Sequence, residues 1–317
     1  MGETKTPCRL FPYEYRDITS LEEAKQKAGW NITAFRLPEA WNFSQGDGVK
    51  IAILDSGCDL DHPDLADNLL PGINFVDPNS PPEDNNLHGT HVTGTICAIN
   101  NDLGVVGVAP KAKVIPVKVL DANGSGDMET VANAIKWAVD QKVDIISMSL
   151  GSPRSIPVVE EACQYANSKG IPIFCAAGNA GNTKQVFYPA AYDTTIAIGS
   201  VDENFDRSVF SNTGDRLDFM APGNKILSTV PDNWYGELSG TSMACPFAVG
   251  VAALLLSYSR AHNNCLSLNN TQDYIEVLKQ QTIPLNNPEF AGKQFFSGFG
   301  IINPENLLEW IDRNKKG

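Results

Sequence analysis

Five continuous apolar runs of β type punctuate the chain, at Val49–Leu54 (VKIAIL), Lys113–Val119 (KVIPVKV), Val143–Met148 (VDIISM), Ile171–Ala176 (IPIFCA) and Thr195–Ser200 (TIAIGS), each bounded by turn residues. Runs that are apolar on both faces predict strands buried on both sides. Between them, apolar residues recur at helical spacing over Met128–Asp140 and Val158–Ser168. The order β-α-β-α predicts an α/β fold in three layers, a doubly wound, mostly parallel sheet with helices on both faces. Such sheets bind ligands at the carboxyl ends of their strands. Two later helices are predicted at Thr271–Gln281 and Pro304–Asp312, the second with Asn303 as cap and Pro304 in the first helical position. Gly and Pro fall as punctuation and no repeat appears, so the expectation is one domain over residues 30–317 behind a polar extension at 1–29.

Composition narrows the partners. The 317 residues are 42% hydrophobic, enough for a core without disulfide or metal staples. Lys+Arg 24 against Asp+Glu 37 gives a net charge of −13 with no polybasic run, which argues against nucleic acid and against an anionic membrane. The start, MGETKTPCRLFPYEYRD, lacks the apolar stretch of a signal peptide, and VGVAALLL at 249–256 falls short of the about 20 apolar residues of a membrane span. Seven cysteines occur without a CxxC pair. Together these predict a cytoplasmic protein with reduced thiols.

Three blocks carry chemistry. Asp55-Ser56-Gly57 delivers a carboxylate to the end of the first strand, although an Asp there also serves as an ordinary turn or cap. His88-Gly89-Thr90-His91 sets an imidazole at the start of the helical VTGTICAI. Gly240-Thr241-Ser242-Met243-Ala244-Cys245-Pro246 places a serine at the start of the apolar helix FAVGVAALLL, where backbone N–H groups favour developing negative charge. Asp, His and Ser at such edges of one parallel sheet are the parts of a nucleophilic triad. HGTH also offers two imidazoles for a metal-dependent hydrolase, but no HExxH glutamate accompanies them.

The blocks DSGCDLDHPDL, HGTHVTGT and GTSMACP, in the order acid, base, nucleophile, resemble those of the subtilisin family of serine proteases over residues of about 30 to 310. The resemblance implies the subtilisin-like fold and a serine endopeptidase acting on proteins or peptides through an acyl-enzyme, with Asp55 orienting the imidazole, His88 as base and Ser242 as nucleophile. AAGN, ending in Asn179, resembles the segment whose asparagine amide donates to the oxyanion; read alone, Gly-Asn is also a left-handed turn. The rival reading is a catalytically silent binding protein on the same fold.

Further features follow from the same resemblance. Gly124-Ser125-Gly126 and Ser149-Leu150-Gly151 match the two edges that flank an extended substrate, and both are also plain turns. Phe187 departs from the pattern, standing where many relatives carry a small residue at the base of the specificity pocket. Ile99–Val105 resembles a calcium loop, which implies Ca2+ held by the carbonyls of Ile99, Leu103 and Val105 and the side chains of Asn101, Asp64 and Gln26; an unmetallated turn is the alternative. Leu10-Phe11-Pro12-Tyr13 resembles a motif of intracellular subtilisins from Bacillus-like bacteria, in which a short extension lies back across the active site and its proline displaces the scissile bond. The extension before about Gly29 is therefore expected to inhibit in cis, with docking of the chain end as the other reading of LFPY. A homodimer is left open.

Overall fold

The computed structural model describes residues 6–20, 25–181, 185–287, 289 and 294–314. Its strands are β1 (Pro7–Leu10), β2 (Glu14–Ser20), β3 (Lys50–Asp55), β4 (Ile73–Asn74), β5 (Lys113–Lys118), β6 (Ser125–Asp127), β7 (Ile145–Met148), β8 (Leu150–Gly151), β9 (Ile173–Ala176), β10 (Ile196–Val201), β11 (Phe219–Pro222), β12 (Ile226–Val230) and β13 (Trp234–Ser239). Its helices are α1 (Trp30–Thr33), α2 (Leu37–Ala40), α3 (His88–Cys97), α4 (Met128–Asp140), α5 (Pro157–Ser168), α6 (Thr241–Ala261), α7 (Thr271–Leu278), α8 (Gln294–Ser297) and α9 (Pro304–Asn314).

The five apolar runs become β3, β5, β7, β9 and β10, which form the body of a seven-stranded sheet of order β11-β10-β9-β7-β3-β5-β4 with every pairing parallel. Each starts or ends within two residues of its predicted bounds. From β3 the chain passes to β4 at the sheet edge and returns through α3 to β5, and α4 then carries it past β3 to β7. α3 packs against α6, and α4 packs against α5. α4 matches its predicted span, because Asp127 caps it by accepting the Thr130 N–H at 2.9 Å. The helix predicted at Thr271–Gln281 stops as α at Leu278, and its last three residues tighten into a 3-10 turn.

α6 alone among the described helices is long and apolar enough to span a membrane. Eighteen of its 21 residues are buried against α3 and the sheet, so its apolarity is that of a core helix. Two smaller sheets have no counterpart in the periodicity. They are β6-β1-β8 and β12-β13-β2, and each takes one strand from the N-terminal extension.

Candidate active site

Asp55 ends β3 where the strand order reverses, which is the crevice in which open α/β sheets hold their ligands. Its buried carboxylate accepts the Ser56 N–H at 2.7 Å and meets Nδ1 of His88 at 2.8 Å. Glycine makes this approach feasible: a Cβ on Gly89 would lie 2.1 Å from the Gly57 carbonyl oxygen, and Gly57 itself has φ +110°. α3 begins abruptly after Leu87, whose φ of +105° is strained for a branched side chain. Asp84 holds that corner. Its Oδ1 accepts the N–H groups of Asn86 and Leu87 at 2.9 and 3.1 Å, and its Oδ2 accepts that of Thr90 at 2.8 Å, which satisfies donors the helix start leaves open.

Ser242 is the second residue of α6. Four residues on, Pro246 has no N–H, so the Ser242 carbonyl loses its helical partner and accepts the Ser149 hydroxyl at 3.0 Å instead. The Ser242 hydroxyl in turn donates to the Ser149 carbonyl at 3.2 Å, while His88 Nε2 has no hydrogen-bond partner. The Asp–His arm is thus closed and the His–Ser arm open.

Asn179 follows β9 through Gly178, whose φ of +106° turns the chain. The Asn179 Oδ1 accepts the N–H and hydroxyl of Thr241 at 2.9 and 2.7 Å, which fixes the amide so that Nδ2 faces the cleft. There it donates to the carbonyl of Pro12 at 2.8 Å.

The cleft is filled by the chain's own extension. β1 runs antiparallel between β6 and β8, with Arg9 opposite both Ser125 and Gly151, Cys8 opposite Gly126 and Leu10 opposite Leu150. The Leu10 N–H also donates to the Gly124 carbonyl at 3.0 Å. A Cβ on Gly124 would come within 2.8 Å of the Leu10 side chain and one on Gly151 within 2.8 Å of the Phe11 ring, so these glycines make room for a strand. The ring of Phe11 is 5.9 Å from that of Phe187. Phe11 therefore sits at the pocket residue, yet the carbonyl on Asn179 belongs to Pro12, one residue further. Strand pairing stops at Leu10 and resumes at Glu14 opposite Ser239, leaving Pro12 in the gap. Tyr13 lays its ring 5.2 Å from the His88 imidazole and donates its hydroxyl to Asn86 Oδ1 at 3.2 Å.

The motifs pointed to no role for Tyr13, Thr241 or Asp84. For Asp84 a signal was present, since an Asp just ahead of a helix start is a capping residue. Tyr13 and Thr241 lie within the quoted motifs, but they act on partners far away in sequence, which the motifs alone do not name.

His91 does not share a ligand with His88. Its Nε2 sits between the carbonyls of Ile226 and Gly236 at 2.9 and 3.1 Å, and complete burial drives its pKa down to about 3, so it is a neutral packed imidazole. Among the described residues no group of three His, Cys, Asp or Glu side chains is placed to hold a metal.

Oxygen donors converge elsewhere. The carbonyls of Ile99 and Val105 both accept from Gln26 Nε2, at 2.9 and 3.3 Å, so they point at one locus. The fully buried Asp64 carboxylate meets Asn101 Nδ2 at 3.1 Å, the Val105 N–H at 2.9 Å and the Tyr235 hydroxyl at 2.9 Å, all neutral donors. Leu103 enters through its N–H, which donates to Asn101 Oδ1 at 3.0 Å. Turning the Gln26 and Asn101 amides end for end would add two oxygens to a carboxylate and carbonyls, a set that suits a hard cation.

A family model described as the subtilase family matches residues 46–294. The chain is 42% identical over 321 residues to the major intracellular serine protease of Bacillus subtilis (strain 168), covering 96% of this chain and 97% of that one. It is 42% identical to the intracellular serine protease of Paenibacillus polymyxa over 89% of this chain and 88% of that one, and 46% identical to thermitase of Thermoactinomyces vulgaris over 75% and 86%.

Proposed function

Because this chain belongs to the subtilase family and is a serine endopeptidase, we propose that Asp55, His88, Ser242 and Asn179 are its catalytic residues and that it is made latent, inhibited by its own residues 6–20. The observation that carries the reading is the Pro12 carbonyl on Asn179 Nδ2 at 2.8 Å.

In the active enzyme Ser242 Oγ attacks the carbonyl carbon of an extended substrate paired with β6 and β8. His88 Nε2 takes the hydroxyl proton, Asp55 stabilises the imidazolium through Nδ1–H, and Asn179 Nδ2 donates to the oxyanion. His88 then gives the proton to the leaving amine, and water hydrolyses the acyl-enzyme by the reverse sequence. A tethered segment has a local concentration in the millimolar range, so residues 6–20 outcompete dilute substrate. Phe11 occupies the place of the residue before the cut, but its carbonyl belongs to a tertiary amide with Pro12, and the carbonyl that reaches Asn179 is one residue late. Ser242 meanwhile points at Ser149 and Tyr13 covers His88.

The inhibitory part ends before Lys25. Gln26 and Lys27 donate their N–H groups to the carbonyls of Asp102 and Gly104 at 3.0 and 2.7 Å, so this stretch belongs to the body of the enzyme and its removal would take Gln26 from the cation loop. We place the activation cut upstream of Lys25.

Labelling of Ser242 by a fluorophosphonate tests both parts. Protein lacking residues 1–20 should label and hydrolyse casein without a lag, and intact full-length protein should do both slowly until mass spectrometry shows the extension cut. Equal initial rates with the extension intact would remove the inhibitory role, and no labelling of either protein would remove the triad assignment.

Calcium is the cation the loop suits. Gln26, Asp64, Asn101 and the carbonyls of Ile99, Leu103 and Val105 would hold it, and it would supply countercharge to buried Asp64. A ligand bound only by the folded state at 100 times its Kd stabilises by about 2.7 kcal/mol, roughly 5 °C in Tm for a chain of this size. Chelation of Ser242→Ala protein, which cannot digest itself, is expected to lower Tm by that amount, and Asn101→Ala to blunt the response. A Tm indifferent to chelator and to added calcium would leave the loop a plain turn.

A cytoplasmic location fits the two relatives named intracellular and the seven free cysteines, six of them buried.

A further inference from the structure

A buried cation beside the site has no part in this mechanism. Lys118 is the last residue of β5, level with Asp55 across the sheet on one side and with Asn74 on the other. Only 4% of it is exposed, and its ammonium donates to the carbonyl of Ser56. It forms no ion pair within 4.0 Å among the described residues. A buried ammonium is costly unless its surroundings compensate it.

Ser56 explains what it compensates. Its N–H donates to Asp55 Oδ1 at 2.7 Å, its hydroxyl donates to Asp84 Oδ1 at 2.9 Å and accepts the Gly89 N–H at 2.9 Å, and its carbonyl takes Lys118. One residue thus joins both buried carboxylates, the ammonium and the first turn of the helix that carries His88. The charged groups facing Lys118 are Asp84, Asp55, Asp121 and Glu83. Those around His88 are Asp55 in contact, Asp84 through the helix cap, Tyr13 above it, and His91 one turn on, neutral through burial.

We propose that Lys118 is a positioning residue of the catalytic centre, whose buried ammonium, anchored on the Ser56 carbonyl, balances Asp84 and so sets the pH at which His88 becomes a competent base. The proposal rests on the roles assigned to Asp55 and His88. When His88 takes the proton from Ser242 it becomes a cation in contact with Asp55, and Ser56 joins Asp55 to the second carboxylate, Asp84. Both pull that proton onto the imidazole, and a base already protonated cannot work. A second positive charge nearby opposes the pull, so loss of the ammonium is expected to favour the proton on the carboxylate–imidazole pair. Loss of the ammonium leaves two buried carboxylates uncompensated; whether the proton settles on His88 or on a carboxylate, activity is lost from the acid side.

The test is the pH dependence of kcat/KM for a short peptide anilide, measured from about pH 5 to about pH 10 on protein that mass spectrometry shows to be processed like wild type. Lys118→Gln keeps a donor for the Ser56 carbonyl and removes only the charge. It should move the acid limb up by about one pH unit, and Lys118→Arg should leave it in place. Asp84→Asn should move the limb down, and the double variant should return it toward wild type. If Lys118→Gln does not fold, Asp84→Asn decides alone. An unmoved limb in either folded variant, with kcat/KM reduced equally at all pH, overturns the proposal and leaves Lys118 as a structural tie. Inactivity of the parent enzyme toward the fluorophosphonate would instead strike the triad reading on which it stands.

Discussion

Ser242→Ala is expected to lower peptide-bond hydrolysis by at least about 10⁴-fold at every pH, because without its hydroxyl no acyl-enzyme can form. The hydroxyl makes one hydrogen bond, to the Ser149 carbonyl at 3.2 Å, and the reciprocal bond from Ser149 to the Ser242 carbonyl is untouched. Removing one oxygen from a packed helix start opens no sizeable cavity, so stability should change by no more than about 1 kcal/mol. Calorimetry and hydrolysis of casein read the two halves separately. Activity within about tenfold of wild type, or a protein that no longer folds, would contradict the assignment.

Asn179→Ala should lower kcat by about 10² to 10³ with little change in KM, because the amide donates to a charge that develops only after attack. Alanine also strips the Thr241 N–H and hydroxyl of their acceptor, and Asn179→Asp separates the effects: it keeps Oδ1 for Thr241 and replaces the donor. Equal losses in the two variants would assign the effect to Nδ2, whereas recovery of kcat in Asn179→Asp would assign it to the support of Thr241. The same amide holds Pro12 in the full-length chain. Both variants should therefore release the extension more readily, seen as faster cleavage of residues 6–20 by a trace of added active enzyme, even as their own turnover falls. Slower cleavage would mean that Asn179 does not hold the extension.

Short-range chemistry explains which parts of this molecule are readable from its residues. A strand buried on both faces must be apolar throughout, so VKIAIL, KVIPVKV and IPIFCA announce β3, β5 and β9 whatever surrounds them. Alternation of those runs with helical spacing leaves a parallel sheet as the arrangement that buries both faces, and parallel strands bring their carboxyl ends to one edge. Asp55, His88, Asn179 and Ser242 stand next to those ends, each within two residues of a glycine, so their meeting was implied by motif and order. β1 and β2 belong to the other class. Neither is apolar enough to stand out, and each exists because a distant backbone edge accepts it: Arg9 pairs with residues 116 and 142 positions away. The motif LFPY suggested occupation of the cleft, but only the folded chain decides that Phe11 meets Phe187 while Pro12, one residue on, meets Asn179. Lys118, Ser56 and Asp84 show the same limit. Each is unremarkable in its own stretch of sequence, and their significance arises from hydrogen bonds and charges that act over a few ångströms in space, between β5, the turn after β3 and the cap of α3. Local pattern therefore determined the sheet and the residues of the candidate site, while the register of the extension and the hydrogen-bond network around His88 were decided by tertiary packing, since neither backbone pairing nor Coulomb interaction depends on separation along the chain.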